Sequence, residues 1–205
     1  MSEVDKLLGL SVREFIAATA GKQATPGGGA VAGVVGALGA ALGEMALSYT
    51  RGKEKYAEHA DAHERIAARL ERAREMFERL VGEDASAYGL YRDAKKMDEG
   101  PAKDRASQAA LAAAIDVPRE VSKLCVALLR DLKQLAPISN PHLVSDLVAA
   151  GVLAVAACRV SDGNVRINVP QVADADAAAQ VRQSSADDLA TAEKLLAELE
   201  AAAAS

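Results

Sequence analysis

The sequence predicts an all-α fold, a bundle of orthogonal and antiparallel helices with two buried central helices. Three observations carry that prediction. First, no charge appears between Gly28 and Gly43, and the run to Leu47 is apolar but for Glu44. At helical spacing Gly29, Gly33, Gly36, Ala40 and Gly43 fall on one face, with Val31, Val34, Leu38, Leu42, Met45 and Tyr49 opposite. A helix apolar all round belongs in a core. Each glycine costs about 0.8–1 kcal/mol of helix propensity relative to alanine. Several on one face therefore require another backbone close by, from a neighbouring helix or a second subunit. Second, Leu147 to Cys158 is also apolar nearly all round and makes the second central helix. Third, the rest of the chain shows apolar stripes at spacings of three and four, and only one short segment alternates.

The elements follow in order. Val4 to Leu8 starts a short helix. Ser11-Val12-Arg13-Glu14 is a capping box, with Ser11 as N-cap and Glu14 at the third position, and its helix ends near Gly21. Lys22 to Gly28 is loop, and the glycine-faced helix follows to about Thr50. Arg51-Gly52-Lys53 breaks the chain. A long helix then runs from Glu54 to about Met97, with a possible bend at Gly82 and a stripe through Ile66, Leu70, Phe77 and Leu80. Gly100-Pro101 ends it. The next helix spans Lys103 to Leu135, carries Leu111, Ala114, Ile115, Leu128 and Leu132 on its core face, and is kinked by Pro118. Asn140-Pro141 opens the second central helix, His142 to about Val160, with Asn140 as N-cap. Ser161-Asp162-Gly163 reads as a turn. Asn164 to Asn168 is an extended arm or a helix continuation. Val172 to Ser205 makes a terminal helix or pair of helices, restarting at Ser185. The whole, residues 1–205, is one helical domain with a C-terminal helical extension from about residue 172.

Composition narrows the function. Aromatics make up only 3% of 205 residues, so the core depends on close helix–helix packing. A net charge of −5 argues against general nucleic-acid binding. Cys125 and Cys158 have neither metal-site nor disulfide-framework spacing. The acidic start Met1-Ser2-Glu3-Val4-Asp5 is unlike a signal peptide, and a soluble cytoplasmic protein is the expectation. The glycine-rich helix is too diluted by Gly and Ala to be read as a membrane span. Gly27 to Ala32 fits a dinucleotide fingerprint only without its preceding strand, and no Lys-Ser or Lys-Thr follows to make a phosphate loop. His59 and His63 share a helix face, but a metal would need a third ligand that no Cys or His cluster supplies.

What remains is a glycine loop, Pro26-Gly27-Gly28-Gly29, whose backbone can face a ligand, and two carboxylates in unusual places. Asp84 interrupts an apolar stripe between Leu80 and Tyr88. It is either functional, or a partly exposed group at a bend, or half of a buried salt bridge. Asp146, after Ser145, sits in the first turns of the second central helix, where the helix dipole favours it or a pocket faces it. Arg51, Lys53 and Lys55 make either a solvated turn or an anion-binding spot.

Several short motifs recur together: Thr25 to Val31, Lys53-x-Lys55-Tyr56, Glu83-Asp84-x3-Tyr88, Val117-Pro118, Asn140-x4-Ser145-Asp146, and Asn164-Val165-Arg166-Ile167-Asn168. In that order they resemble the cyclodeaminase domain of formiminotransferase-cyclodeaminase and the stand-alone methenyltetrahydrofolate cyclohydrolases. The match covers about Leu10 to Val169. The resemblance implies an all-helical homodimer with a folate site in a crevice. With no formiminotransferase part in this sequence, it implies hydrolysis of 5,10-methenyltetrahydrofolate to 10-formyltetrahydrofolate. Cyclodeamination of formiminotetrahydrofolate, releasing ammonia, is the second possibility, and a non-enzymatic folate-binding or scaffold protein the third.

The substrate's N5–C–N10 bridge is a delocalised cation, which suits a neighbouring carboxylate able to take a proton from attacking water. Asp146 and Asp84 are the candidates. Asp146 is favoured as base because Ser145 and Asn140 lie close in sequence and can orient the water, with Asp84 then pairing with pterin N–H groups. Asn140, Ser145, Asn164, Asn168 and the loop of Pro26, Gly27, Gly28 and Gly29 are expected to hold the pterin or the developing carbonyl, with Tyr88 beside them. Arg166, Lys53 and Lys55 are expected to meet the glutamate tail. No metal, redox cofactor, nucleic acid or membrane is called for; the tetrahydrofolate derivative is the expected partner.

Overall fold

A computed structural model describes residues 3–203. Seven α-helices occupy most of the described residues: α1 (Glu3–Leu8), α2 (Val12–Ala20), α3 (Gly28–Ser48), α4 (Ala60–Ala94), α5 (Pro101–Leu135), α6 (Val144–Asn168) and α7 (Ala175–Ala203). Local chemistry sets their ends. Ser11 and Glu14 form the expected capping box: the Glu14 N–H donates to Ser11 Oγ at 3.3 Å, and the Ser11 N–H donates to Glu14 Oε2 at 2.8 Å. Gly100, with φ at 148°, turns the chain into Pro101, the first residue of α5. Asn140 Oδ1 accepts from the His142 N–H at 3.2 Å and opens a short 3₁₀ turn, Pro141–Leu143, ahead of α6.

The glycine face of α3 is filled by α4 of the same chain, running antiparallel. A methyl group placed on Gly36 would meet the Phe77 ring, and one on Gly43 would meet Leu132 and Leu70. Of the two sources of close backbone that the sequence allows, it is the neighbouring helix. Gly33 is the tightest of these crossings for the backbone. Its added methyl would stand 2.7 Å from Val81 Cγ2, 3.2 Å from the Phe77 carbonyl oxygen and 3.3 Å from the Val81 nitrogen. Backbone atoms cannot rotate away, so Gly33→Ala is expected to destabilise the fold by about 1–3 kcal/mol, as overpacking does. The helix-propensity gain of about 1 kcal/mol offsets only part of this. Thermal unfolding followed by circular dichroism checks it: a melting temperature at or above wild type would remove the close crossing as the reason for glycine there.

α6 packs antiparallel on another side of α3. A methyl on Gly39 would lie 3.0 Å from the Ala150 carbonyl, and one on Gly28 would lie 3.8 Å from Val160 and 3.9 Å from Asn164 Oδ1. Around this pair, Phe77, Leu70, Leu128, Leu129, Leu132 and Leu147 are fully buried. Both helices are central, as the sequence predicts, yet each keeps an apolar stripe facing outward. Leu38 is 54% exposed, Tyr49 59%, Val152 46% and Ile167 74%.

Several boundaries differ from the sequence reading: α5 begins at Pro101 rather than Lys103, and α6 at Val144 rather than His142. Glu54–His59 is a 3₁₀ segment rather than the start of the long helix, which ends at Ala94, before Met97. Ser161-Asp162-Gly163 is not a turn, and α6 runs on through Asn168. Asp162 is buried there because its carboxylate is fully occupied: Ser185 Oγ donates to it at 2.8 Å and Arg166 pairs with it at 2.5 Å. Ser185 therefore does not restart a helix. It lies inside the single helix α7, whose Ala192, Leu195 and Leu199 belong to the main core.

Candidate active site

An open cleft of about 770 Å³ lies where the N-terminus of α3, the second half of α4, the first half of α5 and the C-terminal turns of α6 converge. Its centre is set by a missing side chain. Gly27 stands at the N-cap of α3 and offers no side-chain cap. The first N–H groups of a helix have no partner inside it, and the dipole there favours negative charge. Asp84 reaches across from α4 and accepts from the Ala30 N–H at 3.0 Å. Gly29 has no Cβ, and a methyl there would overlap the Asp84 carboxyl group. The stripe-breaking aspartate thus rests against the glycine loop, half-buried and lining the cleft. Burial pushes its pKa above the ordinary carboxylate value, and the Ala30 hydrogen bond opposes that only in part.

Two asparagines of α6 line the same cleft. Pro118 lacks an N–H, which leaves the Ala114 carbonyl without its usual helical partner. Asn168 Nδ2 donates to that carbonyl at 3.2 Å and to the Asn164 carbonyl at 3.0 Å. Both partners are acceptors, so the amide orientation is fixed and Oδ1 remains free as an acceptor. The Asn164 side chain lines the cleft and has no hydrogen-bond partner among the described residues. Tyr88 and Tyr91 form an aromatic wall, their rings 6.2 Å apart.

Gly27, Gly28, Gly29, Asp84, Tyr88, Asn164 and Asn168 are therefore brought together, with Thr25 on the lining and Pro26, which follows a cis peptide bond, buried behind it. The other residues singled out in the sequence lie elsewhere. Arg166 projects from the opposite side of α6 and is paired with Asp162, beside a second depression shared with Arg182. Lys53 and Lys55 follow the far end of α3, and Lys55 lies over the Tyr56 ring, 5.3 Å from its centre. Asn140 joins that end, its N–H donating to Thr50 Oγ1 at 3.0 Å. Ser145 and Asp146 begin α6 nearby. Asn164 stands 18 residues beyond Asp146 on α6, about 27 Å along the axis. Within one chain Asp146 and Asp84 cannot serve one ligand, and the geometry reverses the expected order: Asp84, not Asp146, faces the cleft.

Other polar residues enter the cleft without a motif to mark them. Lys103, Ser107 and Gln108 come from α5, Lys95 from just beyond α4, and Gln171 from the turn after α6. Lys103 pairs with Glu99 at 2.5 Å, and Lys95 lies over the Tyr91 ring at 5.4 Å. The cleft is thus negative at its centre and positive at one rim. Among the described residues no group of three His, Cys, Asp or Glu is placed to hold a metal. His63 is buried, with Nε2 3.0 Å from the Ile138 carbonyl.

The family model for formiminotransferase-cyclodeaminase matches residues 11–187, which include every residue of this cleft. The chain belongs to this family. It is similar to the methenyltetrahydrofolate cyclohydrolase of Methylorubrum extorquens, 31% identical over 195 residues, covering 93% of this chain and 87% of that one. It is also 32% identical over 183 residues to the formimidoyltransferase-cyclodeaminase of Sus scrofa, covering 86% of this chain but only 34% of that longer protein. The crystal structure of a formiminotetrahydrofolate cyclodeaminase from Thermotoga maritima superposes with a TM-score of 0.86 at 33% identity, covering 94% of this chain and 95% of that one. For this family member, Asp84 and the glycine loop, two of the sequence motifs, meet in one place.

Proposed function

We propose that the protein is a methenyltetrahydrofolate cyclohydrolase, hydrolysing 5,10-methenyltetrahydrofolate to 10-formyltetrahydrofolate with Asp84 as general base. One observation carries the reading: a half-buried carboxylate held at a glycine-lined helix N-terminus, in an open cleft also lined by the Asn164 amide and by Asn168, whose oxygen is free. The similar protein of that name in Methylorubrum extorquens, matched over most of both lengths, supports it. The bridging carbon of the substrate carries delocalised positive charge, which Asp84 offsets. Water adds to that carbon as Asp84 takes its proton. The carbon–N5 bond then breaks, N5 receives the proton from Asp84, and the former hydroxyl leaves its proton to solvent as the formyl carbonyl forms on N10. Asn164, Asn168 and the loop N–H groups hold the pterin and the developing carbonyl. Turnover of methenyltetrahydrofolate, followed by loss of its near-ultraviolet absorbance, tests the reading; no rate above the uncatalysed one would overturn it.

The Thermotoga maritima structure favours a second reading, the cyclodeaminase. Its chemistry uses the same carbon, with N10 as nucleophile and ammonia as leaving group. Ammonia release from formiminotetrahydrofolate measures it directly. A non-enzymatic folate scaffold gains nothing from an aspartate whose charge is penalised by burial.

The glutamate tail belongs at the Lys95 and Lys103 rim rather than at this chain's own Lys53, Lys55 or Arg166. Lys103→Ala is expected to raise KM several-fold, up to about tenfold, with little change in kcat, as for a lost charge-assisted contact at a partly exposed site. The effect shrinks with added salt. A substrate lacking the glutamate should not distinguish variant from wild type, and a fall in kcat instead of a rise in KM would overturn the assignment. The outward apolar stripe of α3 and α6 supports a homodimer as the working unit. The reaction calls for no metal, redox cofactor, nucleic acid or membrane, and a cytoplasmic setting suits the two buried free cysteines, Cys125 and Cys158.

A further inference from the structure

A proline inside a helix is costly twice over: it removes one backbone hydrogen bond and crowds the carbonyl four residues back. Pro118 is such a residue, buried in the interior of the 35-residue helix α5 and on the wall of the cleft. The wall around it is firmly packed. Ile115 of α5 is buried with Val165 of α6 and Val169, which follows α6, in a small apolar cluster of their own. Val165 and Val169 stand on either side of Asn168 in sequence, so this cluster holds the Asn168 backbone against α5. Its amide is held as well. Nδ2 donates to the Ala114 carbonyl, which Pro118 leaves free, and to the Asn164 carbonyl. An asparagine amide can usually make a half-turn that exchanges its oxygen for its nitrogen. Here that half-turn would set Oδ1 against two carbonyl oxygens. Oδ1 itself has no hydrogen-bond partner among the described residues.

We infer that Pro118 is a positioning residue for substrate recognition: by withholding an N–H from the Ala114 carbonyl it draws the Asn168 amide nitrogen there, and so presents Asn168 Oδ1 to the cleft as a fixed acceptor for an N–H group of the substrate's ring. This rests on the hydrolase reading above and names the kind of group that the site selects. The 2-amino-4-oxo ring of a tetrahydrofolate carries a ring N–H and an amino group side by side, both of them donors. An amide already locked with its oxygen forward meets such a donor without reorienting, and preorganisation of this kind lowers the cost of binding. An N–H at position 118 would undo the lock. It would reach the Ala114 carbonyl in the ordinary helical pattern, compete with Nδ2, and free the amide to turn either way.

The test is a double-mutant cycle in methenyltetrahydrofolate hydrolysis. Pro118→Ala and Asn168→Ala are each expected to raise KM by about 3- to 10-fold with little change in kcat, the size of one lost hydrogen bond. The double variant is expected to be no worse than Asn168→Ala alone, because Pro118 acts through the asparagine. A proline that only packed against the ligand would add its own loss to the double variant. Circular dichroism establishes that the variants are folded. Unchanged KM in Pro118→Ala, losses that add in the double variant, or a fall in kcat in place of the rise in KM overturns the inference.

Asn168→Asp tests the same device with α5 untouched. At neutral pH the carboxylate keeps an acceptor oxygen but has no N–H for the Ala114 and Asn164 carbonyls, and both repel it. Tetrahydrofolate, whose ring carries no charge, is the probe here, with binding followed by calorimetry. Asn168→Asp is expected to weaken its binding at least as much as Asn168→Ala does. Wild-type affinity in Asn168→Asp would show that any acceptor at this position serves, and overturns the inference. An inactive wild-type protein overturns the hydrolase reading and this inference with it, whereas an active wild type whose KM is indifferent to Pro118→Ala overturns only the inference.

Discussion

Asp84→Asn is expected to lower kcat by about 10²–10⁴, the range for a lost general base, while the melting temperature at neutral pH stays level or rises. The two halves of that expectation have one cause. Burial raises the Asp84 pKa, so the fold favours the uncharged acid. A raised folded-state pKa contributes stability that is complete below the ordinary aspartate value, near pH 4, and is lost as pH rises through the folded value. At neutral pH the wild-type protein has therefore given up that stability to keep Asp84 ionised. Asparagine remains neutral throughout and still accepts from the Ala30 N–H. The stability gap between variant and wild type should widen from acid to neutral pH. The acid limb of the wild-type kcat/KM profile should lie above the ordinary aspartate range, and the variant's residual activity should lack it. A helix-capping role alone predicts something else: asparagine caps as well as aspartate, so kcat would hold. Parallel pH–rate profiles and pH-dependent melting curves separate the two. Unchanged kcat in the folded variant would take Asp84 out of the mechanism.

What could be read in the sequence was whatever depends on neighbours a few residues away. The capping box at Ser11, the glycine face of α3, and the chain breaks at Gly100-Pro101 and Asn140-Pro141 are local; the first two stand where expected, and the breaks lie close to the helix ends they announce. Ser161-Asp162-Gly163 looked like a turn because such residues usually face water. Its carboxylate is instead satisfied by Ser185, 23 residues further along. The cleft divides in the same way. Asp84 could be found because it breaks an apolar stripe. Lys103 and Ser107 extend the stripe of Leu111 and Ala114 by two turns and carry the same signal, but polar residues near the start of a helix are common enough to hide it. The tie from Pro118 to Asn168 was beyond the sequence altogether: the proline announces a freed carbonyl, but not which side chain will cross from another helix to meet it. The two outward stripes were invisible for a related reason. A helix apolar all round reads as wholly buried, whether its last face is covered by its own chain or left for another.

Gly29→Ala is expected to lower kcat by about 10²-fold without lowering stability in proportion. The added methyl would overlap the Asp84 carboxyl group, and there are two ways to relieve it. α3 could move off α4, which would open the crossings at Gly33 and Gly36 against Val81 and Phe77. Or the Asp84 side chain could swing aside, which costs the Ala30 hydrogen bond and little else. The second is easier, because the obstructing atoms are the end of a flexible side chain. The helices then stay packed, and alanine restores part of the helix propensity that glycine forgoes. The base, however, is moved off its aim by about 1 Å or more, a displacement of the kind that costs 10²-fold in rate. KM should change little, since Asp84 still carries its charge within the cleft. Gly28→Ala is the internal comparison. Its methyl would find only ordinary contacts, 3.8 Å from Val160 and 3.9 Å from Asn164 Oδ1, so its effect on kcat should be much smaller. Steady-state kinetics on both variants, with circular dichroism to show the fold intact, decide the matter. Full kcat in Gly29→Ala would mean that the reaction does not depend on where the glycine lets Asp84 rest.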